Sequence, residues 1–199
     1  MAEFTCSGSS RAAHHSKPEY AFSSCGAVAL SPVNQFNVGL LILRAVFGLF
    51  IAYHGYNKFF GPGGLSGTAG WFESIGMRWP HWQARLAATT EMGSGVLMAL
   101  GFLTPLAAAG MIGVMTVAIV VAHWKVGFFI FKEGQGWEYC ASIAVTAFVI
   151  AMIGPGRWSL DHAFDIICHG WTGAVIAGAA GLGGAFVQLA ISYRPKKEA

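Results

Sequence analysis

The chain has 199 residues, of which 55% are hydrophobic and 11% charged, with a formal net charge of +3. Soluble domains carry about 25% charged residues, so this composition is that of an integral membrane protein. The small positive balance argues against a nucleic-acid partner, because the Lys and Arg residues sit between apolar stretches, where they report topology.

Residues 1–36 are polar, Ser/Gly-rich and contain His14 and His15. The apolar piece Ala27-Val-Ala-Leu30 is too short for a signal-peptide core, so this segment reads as a mobile tail and the first span as an uncleaved signal anchor. Apolar windows follow at 38–60, 84–102, 105–124, 137–154 and 172–191. Each approaches the ~20 residues needed to cross the hydrocarbon core. The expected fold is therefore all-α: an integral membrane four-helix bundle over 37–162, with a fifth, Gly/Ala-rich transmembrane helix in a C-terminal extension, 163–199. In that fifth window Gly173, Ala177, Gly181 and Ala185 form a ridge of small residues suited to close helix contact.

Two long connections, 61–83 and 125–136, fall on one side of the membrane, here called the loop side. The first opens as a glycine-rich loop from Gly61 and continues through Trp71 and Phe72 as an interfacial half-helix. The second and third windows are joined by a tight turn at Phe102-Leu-Thr-Pro105. With five spans, Arg78, Arg85, Lys125, Lys132, Arg194, Lys196 and Lys197 share one side, against Arg11, Lys17 and Arg157 on the other. The positive-inside rule then favours an N-out, C-in orientation.

Glu91 is the most informative residue. It interrupts an otherwise apolar span, and an intramembrane carboxylate costs roughly 2.5–3.5 kcal/mol on insertion scales, so it faces a partner, a cavity or a proton path. Helical rise puts Glu91 and His54 at about the same depth, roughly 10 Å from the loop side, with His123 and Glu138 shallower. Arg44 is the outlier, roughly 15 Å from His54 along the first helix.

Three readings fit this cluster. One is a quinone-linked redox or proton-relay site, since imidazole titrates near neutrality and can exchange protons with a carboxyl group. The second is a metal site, although His54 and His123 lack a partner at i+3 or i+4 and no Glu-x-x-His occurs. The third is structural, with Lys58–Glu91 or Arg85–Glu91 fixing helix register. Tyr53, Tyr56, Trp71, Trp137 and Tyr139 can wall a flat pocket, and an interfacial aromatic belt accounts for the same residues. Cys6, Cys25, Cys140 and Cys168 show no redox or zinc spacing, and Cys140 reads as a small buried apolar residue. Dinucleotide, phosphate-loop and nucleophilic-serine motifs are absent from the sequence.

These residues also carry a resemblance. His54-Gly-Tyr-Asn-Lys58-Phe-Phe-Gly61, then Phe72-Glu-Ser-Ile-Gly76, then Glu91 to Thr104, then His123 with Gly127-Phe-Phe129, Gly136-Trp-Glu138-Tyr139 and Gly154-Pro-Gly156-Arg-Trp-Ser159-Leu-Asp161 are similar, in order, to the DoxX family. The match runs over about 40–162. It implies a four-helix bundle in a bacterial or archaeal cytoplasmic membrane, and a membrane subunit of a redox assembly of the thiosulfate:quinone oxidoreductase kind. Its functional positions would fall on His54, Lys58, Glu91, His123 and Glu138; His54, Glu91, His123 and Glu138 then read as proton-handling residues, and Lys58, with Tyr53 and Tyr139 of the aromatic pocket, as contacts of a quinone head group. The expected partners are the lipid bilayer and other subunits of a membrane complex. A structural or assembly subunit that docks through the terminal additions is the alternative, and a small-molecule or ion carrier the third reading.

Overall fold

A computed structural model describes residues 32–195, and among these the secondary structure is helical apart from one isolated β-bridge. The helices are α1 (Pro32–Phe60), α2 (Gly64–Ser74), α3 (Pro80–Leu100), α4 (Thr104–Ala118), α5 (Glu138–Ile153), the short α6 (Leu160–Ala163) and α7 (Gly170–Ser192). A π-helical turn, Ile119–His123, extends α4. Among the described residues three helices are long and apolar enough to cross a membrane: Pro32–Phe60, Thr104–His123 and Gly170–Ser192. The fifth window thus forms an uninterrupted helix of 23 residues despite its glycines. α3 is also long, with 21 residues, but carries Arg85 and Glu91, and α5 is apolar but has 16 residues.

Two boundaries differ from the expectation. α1 begins at Pro32, inside the segment read as tail, because proline is well suited to the first helical turn, where its missing N–H has no partner to lose. The rest of that segment, 1–31, with His14, His15, Cys6 and Cys25, lies outside the described residues. The glycine-rich loop after the first span is shorter than expected: it ends at Gly63, and Gly67 and Gly70 lie inside α2. Phe72 and Ala69 on α2 are buried against Ala84, Val117, Val121 and Ala185, so α2 lies as a lid across the loop-side end of the bundle.

The packing is set by small residues. α1 and α3 run antiparallel with backbones almost touching: a Cβ at Gly48 would stand 2.6 Å from the Ala99 nitrogen, and one at Gly55 2.5 Å from the Met92 nitrogen. α4 is the centre of the bundle, in contact with α3, α5 and α7. The ridge on α7 is buried as a unit, with Gly173 against the Ala151 carbonyl of α5 and Gly181 against Ala109 and Ile112 of α4. The main core joins Ile51, Met98, Met111, Ile112, Ile150 and Ala177 from five helices, and Cys140 is a buried member of it. Outward faces bear large apolar side chains such as Phe36, Leu49, Phe50 and Phe186, which suit hydrocarbon and not water.

The end opposite the loop side is held by a polar device. Arg44 is fully buried and donates to the Trp158 carbonyl at 2.5 Å, while its Nε and Nη1 have no hydrogen-bond partner. Asp161 accepts from the backbone N–H of Leu103 and Thr104 and from the Thr104 hydroxyl, at 2.6, 2.9 and 2.6 Å. It therefore caps the first turn of α4 from a distant part of the chain, a role usually played by a residue just before the helix. At the loop side, Arg78 N–H bonds the Ser192 carbonyl and Arg194 N–H the Gly76 carbonyl, both at 2.8 Å. The end of α7 thus lies beside the α2–α3 connection.

Candidate functional site

The close approach of α1 and α3 positions the central pair. Gly55 packs on Ala88 and Met92, and Lys58, three residues further on the same helical face, meets Glu91. Lys58 Nζ donates to both carboxylate oxygens, at 2.8 Å to Oε1 and 2.6 Å to Oε2. The Glu91 side chain is 7% exposed and that of Lys58 23%. Arg85, the other candidate partner, turns outward over the Trp82 ring.

His54 and Glu91 share one cavity of about 740 Å³, which Lys58, His123 and Tyr139 also line. His54 lies within electrostatic reach of Glu91. His123 stands on the π turn, where Trp124 N–H reaches back five residues to the Ile119 carbonyl. Such turns rotate the residues that follow relative to a regular helix and are frequent at functional sites. This turn brings the His123 ring edge-on to Tyr139. Nδ1 of His123 is 2.7 Å from the Gln135 carbonyl, which can only accept, so Nδ1 carries a proton. In the neutral ring Nε2 is then the acceptor, and the Tyr139 hydroxyl donates to it at 2.8 Å.

Glu138 and Tyr53 belong to a different space. They line an adjoining cavity of about 480 Å³ between α1 and α5, together with Phe47 and Phe50. Glu138 accepts from the Ile130 N–H at 3.2 Å, and Tyr53 is 69% exposed. His54, Tyr139 and Ile143 border both cavities and stand between them. The four-residue cluster expected around Glu91 thus divides, with His54 and His123 on the Glu91 side and Glu138 beyond the partition. Among the described residues no group of three or more His, Cys, Asp and Glu side chains is arranged to hold a metal ion.

Sequence reasoning missed the other end of the larger cavity. It is walled by Leu86 and Thr90 of α3, Gly110 and Gly113 of α4, and Gly181 and Gly184 of α7, and a Gln188–Gln83 hydrogen bond of 2.8 Å spans α7 and α3. The signal was present as glycines three residues apart on both α4 and α7. Of these glycines Gly184 faces open space, whereas a Cβ at Gly110, Gly113 or Gly181 would stand 2.7–3.3 Å from atoms of the neighbouring helix.

Comparison with known proteins bears on this arrangement. The DoxX family model matches residues 39–124. The chain is 33% identical over 131 residues to the "Uncharacterized membrane protein Rv3486" of Mycobacterium tuberculosis, covering 62% of this chain and 79% of that protein. It is 30% identical to "Putative oxidoreductase CatD" of Bacillus subtilis, covering 64% and 87%, and 30% identical to "Inner membrane protein YphA" of Escherichia coli, covering 62% and 88%. No solved structure matches. The matched segment 39–124 contains His54, Lys58, Glu91 and His123, and with relatives matched over most of their own length this chain belongs to the DoxX family of integral membrane proteins.

Proposed function

We propose that the protein is a five-span membrane subunit of a quinone-linked redox assembly, with its head-group site at Lys58 and Glu91. The observation that carries the reading is the 740 Å³ cavity, mostly apolar, into which a few polar groups converge from α1, α3, α5 and the π turn. That volume and that chemistry are typical of small-molecule sites. The relative named as an oxidoreductase agrees with it.

The residues fit a quinone ring. Lys58 spends two of its three N–H donors on Glu91, leaving one for a ring oxygen. Trp71, Phe72 and Tyr139 supply flat walls. A bound quinone would supply the two carbonyl oxygens that take up electrons and protons. Around it, Glu91 holds or gives a proton at a carboxylate oxygen, and Lys58 compensates the charge left behind. His54, open to both cavities, renews that proton from outside, and Tyr139 with His123 forms a second donor–acceptor line ending at Gln135.

Five spans require α3 and α5 to cross beside the three longer helices. The end of α7 at the α2–α3 connection supports this, since Arg78, Arg85 and Arg194 then gather at one face, and we assign that face to the cytoplasm. The ridge that suggested docking onto another subunit is covered by α4 and α5 of the same chain, which weakens the purely structural alternative. The reading is tested with the purified protein in nanodiscs, titrated with a tail-less benzoquinone. Stoichiometric binding, weakened at least tenfold by Glu91→Gln, is the expected result. Unchanged affinity in that variant, or no binding by the wild type, refutes it.

A further inference from the structure

We propose that the cleft between α3, α4 and α7 holds the hydrocarbon chain of the ligand whose head group sits at Lys58 and Glu91, so that the natural ligand is a tailed, lipid-borne quinone. This rests on the quinone reading above and extends it to the other end of the same cavity.

The cavity is polarised. One end carries Lys58, Glu91, His54 and Tyr139, and the far end carries Leu86, Gly110, Gly113, Gly181, Gly184 and Val187, without a charged group. At about 30 Å³ per water, its volume corresponds to roughly 25 water-sized positions, about twice the dozen or so atoms of a substituted ring. The surplus lies where the lining is apolar. Gly184 and Val187 are exposed, so the cleft opens sideways to the bilayer, whereas the Gln83–Gln188 hydrogen bond crosses between α3 and α7. An apolar trough that starts at a polar site and ends at the lipid fits one hydrocarbon chain.

The physics also says what the trough can and cannot do. A tail leaving lipid for an apolar trough gains little transfer free energy, because both surroundings are hydrocarbon. Its contribution is shape: a tailed ring can seat its head only if the trough is open, while a tail-less ring does not depend on it.

Two neighbouring glycines make the test clean. A Cβ at Gly183 or at Gly184 would meet nothing within 4 Å, but only Gly184 lines the cavity. Binding of a tail-less benzoquinone and of the same ring with a ten-carbon chain is measured in nanodiscs for the wild type, Gly184→Phe and Gly183→Phe. Leu86→Trp fills the trough from the opposite wall as a second variant, and melting curves check the fold of each. The expected result is a loss of tenfold or more for the tailed ligand in Gly184→Phe and Leu86→Trp, less than twofold for the tail-less one, and no change in Gly183→Phe. Equal binding of the tailed ligand in the filled variants overturns the proposal. So does loss of both ligands in folded Gly184→Phe, which would seat the ring itself at α7. If the wild type binds neither ligand, the quinone reading fails first and this one with it.

Discussion

Lys58→Met isolates the central question, whether the Lys58–Glu91 pair holds the fold or serves a ligand. Removing the ammonium leaves a carboxylate that is 7% exposed and stripped of both its hydrogen-bond donors. Breaking one side of a buried pair costs about 3–5 kcal/mol, since the remaining charge is neither solvated nor compensated. Lys58 is 23% exposed and sits at the cavity wall, so solvent relieves part of this and the lower end, about 3 kcal/mol, is expected. Replacing both partners, as Lys58→Met with Glu91→Leu, removes the charges together and should bring stability back to within about 1 kcal/mol of the wild type, because well-packed apolar pairs often match buried ion pairs. The assay is reversible unfolding in mixed micelles across the full double-mutant cycle, with benzoquinone binding measured on the folded variants. A stable double variant that no longer binds quinone assigns the pair to the ligand. The reasoning is refuted if Lys58→Met costs less than about 0.5 kcal/mol, the range of a solvated surface pair, or if the double variant is as unstable as the single one.

Other outcomes follow from the same structure. Asp161→Ala removes three acceptor contacts at the start of α4 and should lower unfolding stability by about 3 kcal/mol with quinone affinity unchanged. Gly95→Val should destabilise strongly, since even its Cβ would stand 2.5 Å from the Gly48 carbonyl of α1, whereas Gly93→Val, with open space, should change stability by less than about 1 kcal/mol. The comparison is read by melting temperature. Tyr139→Phe removes the hydroxyl that reaches His123 Nε2 and should cost about 1 kcal/mol of stability, read by melting temperature.

Much of this arrangement was legible in the sequence because the hydrocarbon solvent leaves few choices. Apolar windows of the right length had to be helices, and all five are. Glu91 and His54 at equal depth from one side had to be near neighbours if their helices touched, and Gly48, Gly55 and Gly95 bring those helices together. What the pattern could not give was rotation about each helix axis. Glu138 lies on α5 next to Tyr139, yet Glu138 lines only the smaller cavity while Tyr139 borders both, and depth arithmetic does not distinguish adjacent residues of a helix. The π turn before His123 was equally hidden, since no composition cue marks where a helix adds a residue to its turn. The cap on α4 by Asp161, 57 residues away from Thr104, is a tertiary contact with no local signature.

On the proposed reading, the two buried acids among the described residues differ as a structural carboxylate differs from one that serves a ligand. Asp161 is surrounded by donors that belong to the fold: two backbone N–H groups and a threonine hydroxyl share its oxygens, and it borders neither of the two cavities described here. Such a group repays its desolvation in the folded state and has nothing left to offer. Glu91 is held by a single flexible side chain, which is itself partly exposed, and both members face a cavity large enough for a small molecule. A pair kept only for helix register would gain from being packed shut, because neighbouring side chains would add contacts that an open wall forgoes. The wall beside it does the opposite, with Gly184 of α7 facing open space. On the proposed reading, a ligand that completes the hydrogen bonding of Lys58 and fills the space beyond it accounts for that combination.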